Sequence, residues 1–340
     1  VKEVILLERT AFPFGLEEFK NTLFELAKGG NFEALALNVF RFQYENNAIY
    51  MRWCLALGIK KEAVQSLDAI PFLPISFFKT HSVYATPHTK EETTFLSSGT
   101  GSEGRSKHFV HSLKLYHDIS VAGYQFAFGK LEGPILALLP HYLENGDSSL
   151  VEMCRHWMEK TQHPASGFYL KDTSKLIAQI KRLEEEKTSA WLIGVSYALL
   201  DLAHAFPLQL KYVKVMETGG MKGRGREMIR EELHAILKER LGCDTVYSEY
   251  GMTELLSQAY YKEQAGFDCP PWMKILFRDP RNPLDHTGMR KSGVVNIIDL
   301  ANVYSCSFIA TDDLGRKTES GFEIVGRLDV SDIRGCNLLI

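Results

Sequence analysis

The sequence predicts an α/β fold, a parallel sheet flanked by helices, with a small β-rich lobe at the C-terminal end. Two observations carry this. Between residues 133 and 249 short apolar runs alternate with amphipathic segments, the pattern of strands buried on both faces and joined by crossover helices. From about Pro280 the helical signal fades and short β-like pieces, separated by Gly, Asp and Asn, replace it. With 340 residues, 45% of them hydrophobic, the chain can bury a large core and divide into more than one unit. The division read here is an α/β core over residues 1–280, whose first 90 residues form a helical front piece, and a β-rich subdomain over residues 281–340.

In the front piece, Leu16 to Lys28, Phe32 to Tyr50 and Lys61 to Leu67 read as helices, and the segment closes at the turn-prone Ile70-Pro71-Phe72-Leu73-Pro74. Gly133 to Pro140 reads as a short buried strand. Ser148 to Thr161 follows with helical spacing of Leu150, Val151, Cys154, Trp157 and Met158. The unit then repeats, with Trp191 to Val195 as strand, Tyr197 to Phe206 as helix, Lys211 to Glu217 as strand, Arg226 to Leu241 as helix stopped by Gly242, and Thr245 to Glu249 as strand. The C-terminal β pieces are Val294 to Leu300, Ser305 to Ala310 and Gly321 to Val325.

Composition removes several function classes. The formal net charge is −3 and no run of Lys and Arg is long, so there is no field to draw in a nucleic acid. The N-terminal apolar run, Val4-Ile5-Leu6-Leu7, is too short for a signal-peptide core or a membrane span, which predicts a cytoplasmic protein. The six cysteines (Cys54, Cys154, Cys243, Cys269, Cys306, Cys336) are scattered, without the spacing of a zinc site, and read as reduced thiols.

Three segments carry chemistry. Phe95 to His108 places Ser97, Ser98, Gly99, Thr100, Gly101 and Ser102 just after an apolar strand and ends in Arg105 and Lys107. Glycines let successive amides turn toward one point, hydroxyls add donors and the cations offset collected negative charge, so the loop suits phosphate; an ordinary polar turn is the plainer reading. Gly219 and Gly220 follow a strand and precede a helix, where ligands sit in parallel sheets and where a flat ring can lie against bare backbone; a tight strand-to-helix turn packed for its own sake is the alternative. At the next strand end comes Tyr250-Gly251-Met252-Thr253-Glu254: an aromatic face for a base, a hydroxyl for a phosphate oxygen and a carboxylate for a hard Mg²⁺ ion.

Together these segments resemble the phosphate loop, the adenine-contact glycines and the Tyr-Gly-x-Thr-Glu motif of the adenylate-forming superfamily. In the same order, Thr311-Asp312-Asp313-Leu314-Gly315-Arg316 resembles its Thr-Gly-Asp-Leu ribose motif, with Asp312 in place of glycine, and Gly326-Arg327-Leu328-Asp329 its hinge motif. Within the superfamily, the segments Leu138 to Leu143, Ser148 to Val151, Glu217 to Arg224 and Arg334-Gly335-Cys336 look most like the LuxE-type acyl-protein synthetases. The resemblance implies the N-terminal-domain architecture of that superfamily. It implies ATP and Mg²⁺ as cofactors, with Ser97 to Ser102 on the β- and γ-phosphates, Gly219, Gly220, Tyr250 and Gly251 around the adenine, Thr253 at the α-phosphate, Glu254 on the metal, Asp313 on the ribose and Arg327 near ribose or phosphate.

The implied reaction is activation of a carboxylic acid, a fatty acid by the LuxE likeness, to an acyl adenylate with release of pyrophosphate, followed by transfer of the acyl group to a protein thiol. Relatives carry a large C-terminal lid with a catalytic lysine; it is expected to be absent here, where the sequence reads only to Ile340 after Asp329. Lys107, Lys222, Arg224 and Arg316 are candidate replacements, and each reads equally as a solvated surface cation. Cys336, beside Arg334, is the candidate acyl acceptor, since a neighbouring cation favours the thiolate; burial in a terminal strand is its alternative. An acyl reductase or another acyl-acceptor protein is the implied partner. Two rival readings stay open: an acyl-CoA ligase using free coenzyme A, and a non-catalytic adenylate-binding regulatory protein.

Overall fold

The computed structural model describes residues 15–85, 91–97, 104–139, 147–169, 171–219, 228–262, 265–282 and 290–328. The front piece comprises α1 (Leu16–Glu25), α2 (Phe32–Asn46) and α3 (Ala48–Ala56), followed by β1 (Leu73–Pro74) and α4 (Phe77–Thr80). Next come the antiparallel pair β2 (Thr93–Leu96) and β3 (Lys107–Val110), α5 (Leu113–Phe128), β4 (Ile135–Leu138), α6 (Ser149–Thr161), β5 (Gly167–Phe168) and α7 (Thr173–Glu185). The central run is β6 (Ala190–Gly194), α8 (Ser196–Ala205), β7 (Val213–Glu217), α9 (Arg230–Leu241) and β8 (Val246–Tyr250). The chain continues through β9 (Ala259–Lys262), β10 (Gly266–Asp268), β11 (Met273–Arg278), β12 (Ser292–Asp299), β13 (Phe308–Lys317) and β14 (Phe322–Arg327).

Strands β4 to β8 form the parallel half of one sheet, in the order β5-β4-β6-β7-β8. Leu136, Leu192, Val215 and Val246 are fully buried along it, as expected of strands covered on both faces. The sheet then turns antiparallel at β9 and runs on through β10, β14, β13 and β12 to β11, with β1 added in parallel to β13. The β-rich C-terminal lobe expected from the sequence is this antiparallel half, whose strands begin at Ala259 and are hydrogen-bonded into the same sheet as the parallel half.

Two elements differ from expectation. The helix read over Phe32 to Tyr50 is two helices, broken at Asn47, and Lys61 to Leu67 holds only a 3₁₀ turn over Lys61–Ala63, with a second at Leu67–Ala69. The sequence gives no expectation for α4, α5 and α7 or for β1, β3, β5, β9, β10 and β11, all of which the structure contains. The break at Asn47 has a clear cause: its side-chain oxygen caps α3 by accepting from the amides of Ile49 (3.1 Å) and Tyr50 (2.9 Å), and its Nδ2 donates to the Ser305 carbonyl (2.9 Å). A fully buried asparagine thus starts a new helix and pins it to the β12–β13 connection. Gln43, one turn earlier, does the same with Asn302, Val303 and Ser307.

Asn47→Ala removes a cap and leaves a buried carbonyl unmet. It should lower unfolding free energy by about 2–4 kcal/mol, read from a urea titration; a loss below 0.5 kcal/mol contradicts the structural role.

Candidate functional site

A cavity of about 1140 Å³ opens at the carboxyl ends of β6, β7 and β8 and is closed on its far side by β13 and β14. The topology explains the place: strands of a parallel sheet deliver their terminal loops to one edge. Parts of all five sequence motifs meet there, in three groups.

The first is the base of the hydroxyl-rich loop. Ser97 donates its amide to the Ser106 carbonyl (3.0 Å), and the Ser106 amide donates back to Ser97 Oγ (2.9 Å). Arg105 turns inward and donates to the Ser97 and Leu96 carbonyls, clamping the loop's two ends. Ser98, Gly99, Thr100, Gly101 and Ser102 lie outside the described residues, as do Gly220, Lys222, Arg224 and Cys336. Lys107 is exposed on β3 and is not among the described residues lining the cavity.

The second is the end of β7. Gly219 adopts φ +60°, a left-handed backbone that favours glycine, and its amide donates to Glu217 Oε2 (2.7 Å). Ser196 donates to the same oxygen (3.1 Å), while Arg230 and His234 each stand 3.8 Å from Oε1. Burial alone would push this carboxyl up; the nearby His234 and Ser248 side chains, the Arg230 charge and the Gly219 amide hold it down at about 2.

The third is the end of β8 with β13 and β14. Tyr250 donates its hydroxyl to Asp313 Oδ2 (2.7 Å) and packs between Phe267 and Phe322, with ring centroids 5.7 and 5.6 Å away. Arg327, the strand-pair partner of Asp313, places its guanidinium 4.0 Å from both Asp312 and Asp313. Burial pushes the Asp313 carboxyl up, against the Tyr250 hydroxyl and Arg327. Asp312, the departure from the ribose motif, is not among the positive-φ residues, so a side chain there brings no left-handed strain.

Glu254 is 4% exposed and faces the cavity. Burial pushes its carboxyl up, the Ser106 hydroxyl being its main stabilising partner, with Arg327 a weaker one and Asp313 opposing. Among the described residues no cation lies within ion-pair distance of it, and no three His, Cys, Asp or Glu side chains gather into a metal cage. One buried, under-compensated carboxylate is the donor set expected for Mg²⁺, which takes one or two carboxylates and completes its shell with water and substrate phosphates. Glu254 therefore fits the ion.

Sequence reasoning missed the residues that hold this motif in place. His108 is buried, with Nδ1 2.8 Å from the Thr253 carbonyl and Nε2 2.9 Å from Asn302 Oδ1; Asn302 Nδ2 donates to the carbonyls of Glu254 (2.7 Å) and Cys306 (2.9 Å). Burial pushes the imidazole down to about 4. A lone histidine and a lone asparagine, 194 positions apart, leave no local signal.

A scan against protein-family models finds no match. In sequence, the chain is similar to the long-chain-fatty-acid–luciferin-component ligase of Vibrio harveyi, 23% identical over 96% of this chain and 89% of the relative, and to that of Aliivibrio fischeri, 22% identical over 90% and 86%. Solved structures it matches include a fatty acyl-adenylate ligase from L. pneumophila (TM-score 0.49, 13% identity, 73% of this chain and 53% of that one) and O-succinylbenzoate coenzyme A synthetase from Bacillus subtilis (TM-score 0.48, 15% identity, 72% and 52%). The chain spans about half the length of these structures.

The Glu217 network makes a pH prediction. Its folded carboxyl lies at about 2 against an ordinary 4.5, so its stabilisation is complete above 4.5 and is lost as pH falls toward 2. The shift corresponds to about 3 kcal/mol. Glu217→Gln should lower stability at neutral pH and flatten its fall between those two values, followed by denaturant titrations at each pH; an unchanged acid limb refutes the assignment.

Proposed function

We propose that the protein is an adenylate-forming enzyme that activates a carboxylic acid, a fatty acid in the first instance, and passes the acyl group to a protein thiol. One observation carries the reading: Asp313, bonded to Tyr250, and the under-compensated Glu254 face one cavity at a sheet's carboxyl edge. The order of the motifs along the chain and the end-to-end likeness to two ligases named for long-chain fatty acids support it.

In this reading a carboxylate oxygen of the acid attacks the α-phosphorus of ATP, the bond to the β-phosphate oxygen breaks, and pyrophosphate leaves. Asp313 accepts from the ribose hydroxyls, and Tyr250, Gly219 and Gly220 flank the adenine. Thr253 donates to an α-phosphate oxygen and Ser97 to Ser102 cradle the departing phosphates. Glu254 would hold Mg²⁺, which supplies positive charge for the developing pyrophosphate. Acceleration comes from positioning and preorganised charge. A thiolate then attacks the acyl carbonyl and AMP leaves, with Cys336 as the acceptor.

Acid-dependent ATP–pyrophosphate exchange tests the first half-reaction. Glu254→Gln should abolish it with the melting temperature preserved, and Asp313→Ala should raise KM for ATP about 10- to 150-fold, the loss of a charged hydrogen bond. Wild-type behaviour in both variants defeats the reading. Cys336→Ser should keep exchange but lose a hydroxylamine-labile acyl group on the protein; acyl transfer to free coenzyme A with no protein label identifies a coenzyme A ligase instead.

A further inference from the structure

The cavity also holds polar groups to which this reading gives no task. Leu150 and Met153 of α6 and Tyr116 of α5 line it, a largely apolar wall suited to an acyl chain. Glu249 and Gln258 face the same cavity. Strand residues alternate in direction, so Glu249 leaves the Ser248 and Tyr250 side and lies with its cross-strand neighbour Tyr260. Gly251 gives it room: a Cβ at that position would collide with the Glu249 carboxyl.

These groups are unspent. Among the described residues Glu249 makes no hydrogen bond or ion pair, and the charged or titratable groups near it are Glu217, Tyr116, Tyr260 and Cys154. Gln258 is 5% exposed and uses its Nε2 on the Leu256 carbonyl (3.2 Å), while its Oε1 is buried with no partner. Among the described residues, Thr218 Oγ1, on the same cavity, is also buried without a partner, as is the Oη of Tyr260, the cross-strand neighbour of Glu249. Buried polar atoms are almost always satisfied, so such a cluster at a cavity wall marks what a ligand is meant to supply.

We propose that Glu249 and Gln258 form a recognition subsite for a hydrogen-bond donor, a hydroxyl or an amino group, carried on the acyl portion of the acid. The substrate is then a substituted acid, selected over the plain alkyl acid of equal length. The inference rests on the adenylation reading and names its substrate class. Burial and the Glu217 carboxylate push the Glu249 carboxyl up to about 8, so near neutrality it is mostly protonated, able to accept from a hydroxyl or to ionise beside an ammonium.

The test compares acids of one chain length, plain, hydroxylated or aminated at successive positions, by ATP–pyrophosphate exchange and by calorimetric binding. Wild type, Glu249→Leu and Glu249→Gln are measured after thermal melts confirm folding. The expected result is at least about a tenfold preference in kcat/KM for one substituted acid, carried by KM, abolished in Glu249→Leu and partly kept in Glu249→Gln. The hydroxyl and amine arms decide which donor is read. Equal or better use of the plain acid by wild type, or an equal loss for all acids in Glu249→Leu, overturns the subsite. Binding with Glu249-dependent preference but no exchange would uphold the subsite and reject adenylation; neither binding nor exchange with any acid would reject both.

Discussion

A short buried chain of hydrogen bonds ties three distant parts of the sequence to one point. His108, on the strand that leaves the hydroxyl-rich loop, stands between two acceptors, the Thr253 carbonyl and Asn302 Oδ1, and its neutral ring donates to one of them at a time; Asn302, between β12 and β13, donates to the carbonyls of Glu254 and Cys306. Two consecutive peptide units of the Thr253–Glu254 turn are therefore held from two sides. The side chains of that turn can face the cavity only while their carbonyls are anchored behind it. Gln43 and Asn47 extend the same tie into the helical front piece through Asn302, Val303, Ser305 and Ser307, so packing of the front piece and geometry of the cavity are one problem. Buried polar networks of this kind are costly when incomplete and rigid when satisfied.

Charge is distributed with equal economy. Glu217 has neighbours enough to stay ionised, and it fixes the Gly219 amide at the end of β7. Glu254, Asp313 and Glu249 are under-compensated, and burial raises all three. Ionised carboxylates on this wall repel a polyphosphate unless a cation comes with it, and all three groups offer acceptors to hydroxyl and amino hydrogens. The ion at Glu254, the ribose at Asp313 and a donor-bearing acyl group at Glu249 each answer one of these needs.

Much of this was legible in the sequence where signals are local. The apolar runs of β4, β6, β7 and β8 and the strand-end motifs at Gly219 and Tyr250 stand out because strand burial and turn chemistry act over a few residues. Asn47 gives no boundary signal in the sequence, because its capping role competes with unbroken helical spacing on either side. Helix α5 escaped because it is buried on several sides, at Leu115, Tyr116, Ile119, Ser120, Val121, Gly123 and Tyr124, which blurs the apolar stripe. Helix α7 carries a clear local signal, Asp172 as cap and Leu176, Ile177, Ile180 and Leu183 as its buried stripe. His108, Asn302 and the unpartnered Gln258 have meaning only once the fold brings distant segments together.

The central claim is that one cavity holds the nucleotide against Asp313 and Tyr250 and the acyl group against Tyr116 and Glu249. A crystal structure with a non-reactive acyl-adenylate analogue, its phosphoanhydride replaced by a sulfamate, tests this most directly. The account requires density for the ribose hydroxyls within hydrogen-bond distance of the Asp313 carboxylate and for the acyl group beside Tyr116, Met153 and Glu249. An analogue bound elsewhere, or bound with its ribose away from Asp313, would contradict it.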